Sequence, residues 1–209
     1  MNILLINGSP KGKRSNSLRL ANSFIEGFKE GYKSKNEAII SIDEMHVASM
    51  NVGACKGCFA CWQKTPGVCC INDDMQTVIG KMLKADIVVW SFPLYYFSVP
   101  GILKNVIDRQ LPMSLPFMST KDDGYGSGSH DCRYDMEGKR HVLISTCGFY
   151  SANENYDSVS RMFDHFLNLF CLPVINQIPS ATFPDTPCQL LLSRYHLYVH
   201  VLIIRELID

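Results

Sequence analysis

Residues 86–92 read DIVVWSF, an almost unbroken apolar run. A strand with one face in water alternates apolar and polar side chains, because successive residues point to opposite sides of the sheet. A run without that alternation belongs to a strand covered on both faces, as strands of parallel sheets are. NILLI (2–6), EAIISI (37–42), RHVLIST (140–146) and LPVINQI (172–178) are further runs of strand length. Between them the apolar period becomes helical. Leu18, Leu20, Ala21, Phe24, Ile25 and Phe28 share one helix face. NDDMQTVIGKMLKA (72–85), PGILKNVIDRQL (100–111) and YDSVSRMFDHFLNLF (156–170) read as three more helices. Asn72 or Asp73 is the expected N-cap of the first of these three, and Pro100 opens the second. Strands alternating with helices predict an α/β chain, a three-layer doubly wound sheet of five parallel strands with right-handed crossovers.

The 209 residues fit one domain over 1–209, with an atypical segment at 172–209. That segment holds one charge, Asp185, through residue 193 and then turns to YHLYVHVLIIRELID. It reads either as a strand or as a surface packed on a partner subunit. The connection 112–139 carries no strand or helix pattern, and its glycines, serines and aspartates read as a flap.

Lys plus Arg equals Asp plus Glu at 20 each, which argues against a nucleic-acid binder with its basic surface. No apolar run approaches the roughly 18 residues that span a bilayer. The start, MNILLINGSPKG, has neither a basic leader nor a cleavage site. Nine cysteines without a secretory signal point to a reducing compartment, so a cytoplasmic protein is expected.

In a doubly wound sheet, ligands bind beyond the C-terminal ends of the strands, where strand order reverses. The loop after the first strand, NGSPKGKRSNS, offers Ser9, Ser15, Asn16 and Ser17 and then a helix N-terminus. Short polar side chains and unpaired backbone N–H groups suit a phosphate. The loop is neither GxGxxG nor GxxxxGK[ST], so a single terminal phosphate fits better than a dinucleotide or a nucleoside triphosphate. The loop after the third strand, SFPLYYFSVPG, packs Phe92, Tyr95, Tyr96 and Phe97 around Pro93 and Pro100, a surface for stacking a flat ring. The loop after the fourth strand supplies Ser145, Thr146 and Gly148 for polar edge contacts, with Cys147 read as a small buried residue. Together the loops describe a flat heterocycle on a phosphate tail.

With these loops the sequence resembles the flavodoxin-like NAD(P)H-dependent FMN reductases, including their iron–sulfur flavoprotein branch. The resemblance rests on NGSPKGKRSNS, CKGCFACW with INDDM, ADIVVWSFPLYYFSVPGILKNVIDR and STCGF. It implies that Ser9, Lys11, Ser15, Asn16 and Ser17 hold the FMN phosphate. Pro93, Leu94, Tyr95, Tyr96, Phe97 and Ser98 would lie against the flavin, and Thr146, Cys147 and Gly148 would border its ring. It further implies a strand order 2-1-3-4-5, a homodimer or homotetramer, and hydride transfer from NAD(P)H to the flavin and on to a small acceptor. The acceptor class is a quinone, a nitro or azo compound, or free flavin. The flavin carries that chemistry, so no catalytic side chain is expected. Asp108 and Arg109 read as helix-surface charges or an intersubunit pair.

Five cysteines crowd into ACKGCFACWQKTPGVCC: Cys55, Cys58, Cys61, Cys69 and Cys70. Four thiolates are the usual ligand set of a [4Fe–4S] cluster, and Cys55, Cys58 and Cys61 with Cys69 (or Cys70) have the spacing for one. Zinc is the other all-thiolate option, although it favours two separated CxxC knuckles. A metal-free loop is the third. The cluster reading resembles the iron–sulfur flavoproteins and gives the alternative function, an electron carrier with FMN and a cluster.

Overall fold

The computed structural model describes residues 1–33, 39–119, 129–149, 154–169 and 198–204. In chain order the elements are β1 (Asn2–Asn7), α1 (Asn16–Lys33), β2 (Ser41–His46), α2 (Ala60–Gln63), α3 (Met75–Lys84), β3 (Ile87–Pro93), α4 (Gly101–Asp108), β4 (Ser114–Ser119), β5 (Ser129–Cys132), β6 (Arg140–Cys147), α5 (Asp157–Leu169) and β7 (Tyr198–Ile204). One sheet has the order β2-β1-β3-β6-β7. Its first four strands are parallel, and β7 closes the edge antiparallel to β6. The order reverses between β1 and β3, which is the switch point of a flavodoxin-like α/β sheet.

Residues alternate between two cores, and this makes three layers. Ile3 and Leu5 of β1, Ile87 and Val89 of β3, and Val142 and Ile144 of β6 pack on Leu18, Leu20, Ala21 and Ile25 of α1. Leu4, Ile6, Val88, Trp90 and Leu143 face the other way, onto Met75, Val78 and Met82 of α3, Leu103 and Val106 of α4, and Phe163 and Phe166 of α5. This explains the unalternating run at 86–92: β3 is central and both its faces are dry. The N-terminus of α1 is capped by Ser15, whose Oγ accepts from Leu18 N (3.4 Å) and whose carbonyl accepts from Arg19 N (3.3 Å).

Three sequence expectations are corrected. The second strand is Ser41–His46 rather than 37–42. It lies at the sheet edge and is mostly exposed, so its pattern is polar and the preceding apolar run misleads. The connection 112–139 is not structureless, since β4 and β5 pair in an antiparallel hairpin with Met118 opposite His130; 120–128 lie outside the described residues. The place beside the fourth parallel strand is taken by β7, which is antiparallel, while 172–178 lie outside the described residues. Among the described residues no helix is long and apolar enough to cross a membrane.

Phe163 of α5 is fully buried against β3. It stacks on Phe92 (5.9 Å between centroids) and sits edge-on to Trp90 (5.7 Å) and Phe166 (5.8 Å). Phe163→Ala is expected to lower stability by about 3–5 kcal/mol. Urea unfolding would show it as a lower midpoint with an unchanged slope.

Candidate functional site

The C-terminal ends of β1, β3 and β6 lie side by side, with Asn7 opposite Ser91 and Pro93 opposite Thr146. The three loops singled out in the sequence therefore leave the sheet at one edge. In the first, Asn7 is the hub. Its side-chain amide donates to Gly12 O (2.9 Å) and to His46 Nδ1 (3.0 Å), and its Oδ1 accepts from Ser9 N (3.2 Å). His46 Nε2 in turn faces Glu44 Oε1 (3.2 Å). Gly8 N donates to Ser91 O (2.8 Å), and a Cβ at Gly8 would meet Leu103 side-chain carbons at 2.4–2.8 Å. Only glycine lets this loop pass so close to α4.

Ser9, Ser15 and Ser17 are all buried, with Ser15 Oγ and Ser17 Oγ 2.7 Å apart. Lys11 is exposed, its N–H donating to Ser9 Oγ (3.3 Å). At the first turn of α1, the backbone N–H groups of Asn16 and Ser17 precede the helix's own acceptors. Buried hydroxyls, N–H groups at a helix start and a nearby lysine are the donor set that a phosphate monoester needs.

The second loop is a tight turn. Tyr95 and Ser98 exchange both backbone hydrogen bonds at 2.9 Å, and between them Tyr96 (φ 46°) and Phe97 (φ 60°) are left-handed. Two central residues at positive φ are the mark of a type I′ turn, normally built from Asn and Gly. Large side chains there carry a backbone cost of order 1–3 kcal/mol each. The rings are nonetheless presented outward: Tyr96 is 99% exposed, and Phe97 stacks on Phe149 (5.6 Å, 9°). Leu94 N donates to Thr146 O (2.8 Å), and Ser158 of α5 donates to Phe97 O, so the turn is fixed from two sides.

In the third loop Thr146 and Cys147 are buried and Gly148 is exposed, with open space where its Cβ would stand. Tyr156 donates to Ser145 O (3.4 Å). Its phenol is pushed well above its ordinary range, chiefly by burial and then by Cys147. The hydroxyls of Ser91 and Ser145, on neighbouring strands, are buried with no hydrogen-bond partner among the described residues.

The cysteine loop joins β2 to α3, and its two ends are tied together. Asn51 N donates to Asp74 Oδ2 (2.7 Å) and Asp74 N to Asn51 O (3.0 Å). Gly53 N donates to Asp73 Oδ2 (3.0 Å). Arg109 is 1% exposed and binds Asp73 with both terminal nitrogens (2.8 and 2.9 Å), while Nη1 also reaches Gly53 O (2.9 Å). The expectation of a surface charge or intersubunit pair at Arg109 is therefore corrected. Asp108 does stay exposed, bonded to Lys104 (2.6 Å). The expected N-cap of α3, Asn72 or Asp73, is corrected to Asp74; Asp73 Oδ1 accepts from Met75 N (3.1 Å) while its other duties are to the loop and to Arg109.

Within the loop Cys55, Cys58 and Cys70 are exposed, Cys69 is half-buried and Cys61 is buried. Burial, then the nearby charge of Cys69, pushes the Cys61 thiol up. Cys69 lies beside the Arg109 guanidinium. Cys58 and Cys70 are in contact, with sulfurs 3.6 Å apart. Among the described residues no three His, Cys, Asp or Glu side chains are gathered as a metal site, so Cys55, Cys58, Cys61 and Cys69 share a loop but not, as placed, a cage. Trp62 donates to Leu111 O (3.1 Å) and packs on His130, bracing the loop against the β4–β5 hairpin.

Asn7, His46, Gly8 and the Asp73–Arg109 pair escaped the sequence reading. Asn-Gly-Ser directly after an apolar strand was a usable signal for Asn7 as a turn-forming side chain.

Comparison with known proteins agrees with this fold. A family model described as flavodoxin-like fold matches residues 1–174. An iron–sulfur flavoprotein of Archaeoglobus fulgidus is 30% identical over 187 residues, covering 88% of this chain and 79% of that protein. The FMN-dependent NAD(P)H:quinone oxidoreductase 1 of Pseudomonas aeruginosa is 26% identical over 148 residues, 70% of this chain and 68% of that one. Among solved structures, an FMN-dependent NADH-azoreductase from Bacillus anthracis in complex with FMN superposes with a TM-score of 0.53 at 18% identity, covering 80% of this chain and 81% of that one; it shares the fold. The chain belongs to the flavodoxin-like family of NAD(P)H-dependent FMN reductases and iron–sulfur flavoproteins.

The Arg109–Asp73 pair has a testable signature. Arg109→Met leaves a buried carboxylate unpaired and is expected to cost about 3–5 kcal/mol, much of it restored in Arg109→Met/Asp73→Leu. The Arg109 hydrogen bonds hold the Asp73 carboxyl below its ordinary range. Its contribution to stability is thus fully present above about pH 4 and fades as pH falls through the lowered native value. Urea midpoints of wild type and double variant between neutral and acid pH are expected to converge.

Proposed function

We propose that this chain binds FMN at the edge formed by the β1, β3 and β6 loops and acts as an oxidoreductase, passing reducing equivalents from NAD(P)H to a small acceptor. The acceptor class is a quinone, a nitro or azo compound, or free flavin. The observation that carries the reading is the strained Tyr95–Ser98 turn, which holds exposed aromatic rings beside a loop of buried hydroxyls and helix-start N–H groups. A ring surface and a phosphate cradle on adjacent strand ends match the two halves of FMN. The relative named as an FMN-dependent NAD(P)H:quinone oxidoreductase supports it.

In this reading Ser9, Lys11, Ser15, Asn16 and Ser17 hold the phosphate. Pro93, Leu94, Tyr95, Tyr96, Phe97 and Ser98 wall one side of the ring, and Thr146, Cys147 and Gly148 border it. The flavin, once bound, supplies the hydride-accepting and electron-donating chemistry. The protein binds it, orients it and leaves one side open through Gly148 and the outward Tyr96. In this reading residues 1–209 form a single cytoplasmic domain with the family order 2-1-3-4 over its parallel strands and the antiparallel β7 in the fifth place. Homodimers or homotetramers bury apolar surface such as Phe117 and Met118, which are exposed on β4.

A second reading is an electron carrier in which Cys55, Cys58, Cys61 and Cys69 hold a [4Fe–4S] cluster beside the FMN site. Its support is the thiol-rich loop with pinned ends and the 30% identical iron–sulfur flavoprotein. Anaerobically purified protein separates the two. Iron and acid-labile sulfide in a ratio near one, with little NAD(P)H oxidation, would favour the carrier.

Purified protein that takes up FMN and oxidises NAD(P)H with a quinone present supports the oxidoreductase reading; failure to bind flavin on titration refutes it. Ser17→Ala removes one donor to a charged group, worth roughly 1.5–3 kcal/mol. FMN binding is expected to weaken by about tenfold or more, with riboflavin binding unchanged. Fluorescence titration with the two flavins reads the difference.

A further inference from the structure

The extra thiol of the cysteine loop has a structural partner. Five cysteines occupy residues 55–70, and a four-thiolate site needs only four of them. Each sulfur has distinct surroundings. Cys61 is buried, Cys69 lies beside Arg109, and Cys55 accepts from Gly57 N (3.5 Å). Cys58 and Cys70 are both exposed and touch each other, 3.6 Å between sulfurs. A disulfide bond is about 2.05 Å long, so roughly 1.5 Å of approach separates this contact from a bond. The two residues lie 12 apart in sequence, on a loop whose stems are already joined by the Asn51–Asp74 and Gly53–Asp73 hydrogen bonds. The fold has therefore already met most of the entropy of bringing these segments together.

We infer that Cys58 and Cys70 form a reversible dithiol–disulfide couple, a second redox site in this protein, which exchanges with small-molecule disulfides of the glutathione class. In the first step a thiolate of the pair attacks one sulfur of the small disulfide. A protein–small-molecule mixed disulfide forms and one thiolate leaves. The other thiolate of the pair then attacks the protein sulfur of that mixed disulfide and displaces the second small thiolate. Two protein thiols lose two electrons and two protons, and one small disulfide becomes two small thiols. Excess small thiol reverses both steps. Cys58 bound to Cys70 cannot also be a thiolate ligand, so oxidation of this pair and a cluster on Cys58 exclude each other.

The test uses the full chain as purified, reduced, freed of reductant without oxygen, and then incubated with oxidised glutathione. Remaining thiols are alkylated before tryptic digestion. Cys58 and Cys61 fall in the peptide 57–64 and Cys69 and Cys70 in 65–81, so the couple appears as these peptides joined with the loss of two hydrogens, with fragment ions placing the bond on Cys58 and Cys70. The expected result is that link, reversed by reduced glutathione, retained in Cys69→Ser and absent from Cys70→Ser, which keeps glutathione on Cys58. The inference is overturned if Cys58 and Cys70 are both alkylated after oxidation. It is equally overturned if wild type stops at mixed disulfides, or if the link survives Cys70→Ser but is lost in Cys69→Ser.

Discussion

A buried guanidinium organises the region beside the C-terminal edge of the sheet. Arg109 stands at the end of α4 with its side chain fully out of water, and its charge is met by Asp73 at the entry to α3. Placing two ions in such a site sacrifices their hydration, and the mutual attraction returns that loss only when the geometry is good. Here both terminal nitrogens are used, and Nη1 also takes Gly53 O. The same carboxylate accepts from Gly53 N and Met75 N. One ion pair thus fixes the start of the cysteine loop, its end, the first turn of α3 and the last turn of α4. The effect is positional more than stabilising. Asn105 of α4 adds a bond to Val52 O (3.2 Å), so the helix that follows the aromatic turn is also the wall against which the thiols are set.

This dependence explains what the sequence made legible. Periodicity is a local signal, and it located the central strands well because β1, β3 and β6 are covered on both faces by the same chain. It failed at the margins. β2 is an edge strand, so its composition follows solvent rather than the core, and the apolar EAIISI drew the expectation upstream. The β4–β5 hairpin is short, and β4 contains Pro116, so neither strand carries a clean alternation. The loops at the sheet edge were legible as places because connection rules fix where they emerge. Their internal wiring was not. Arg109 and Asp73 are 36 residues apart, and a charge is buried or exposed according to a partner that no local window contains. Asn7 poses the same problem, since its role depends on His46 arriving from the next strand.

The aromatic turn bears on how the proposed flavin edge is prepared. Asn-Gly would make the Tyr95–Ser98 turn without strain, whereas Tyr96 and Phe97 make it at a cost comparable to several hydrogen bonds. Burial does not compensate, because Tyr96 is almost wholly in water and Phe97 is half exposed. The compensation comes from the supports: two reciprocal backbone bonds across the turn, Leu94 held to Thr146, Phe97 O held by Ser158, and the Phe97–Phe149 stack. A loop restrained at that many points retains little freedom to lose when a flat ring comes to lie on it. The unfavourable backbone is met during folding, so ring binding does not have to supply it. Because Leu94 is bonded to the strand that carries Thr146 and Cys147, the aromatic turn and that strand end share one frame. A substitution that relaxed the turn would therefore shift it relative to Thr146 and Cys147, even with every side chain of the proposed flavin site intact.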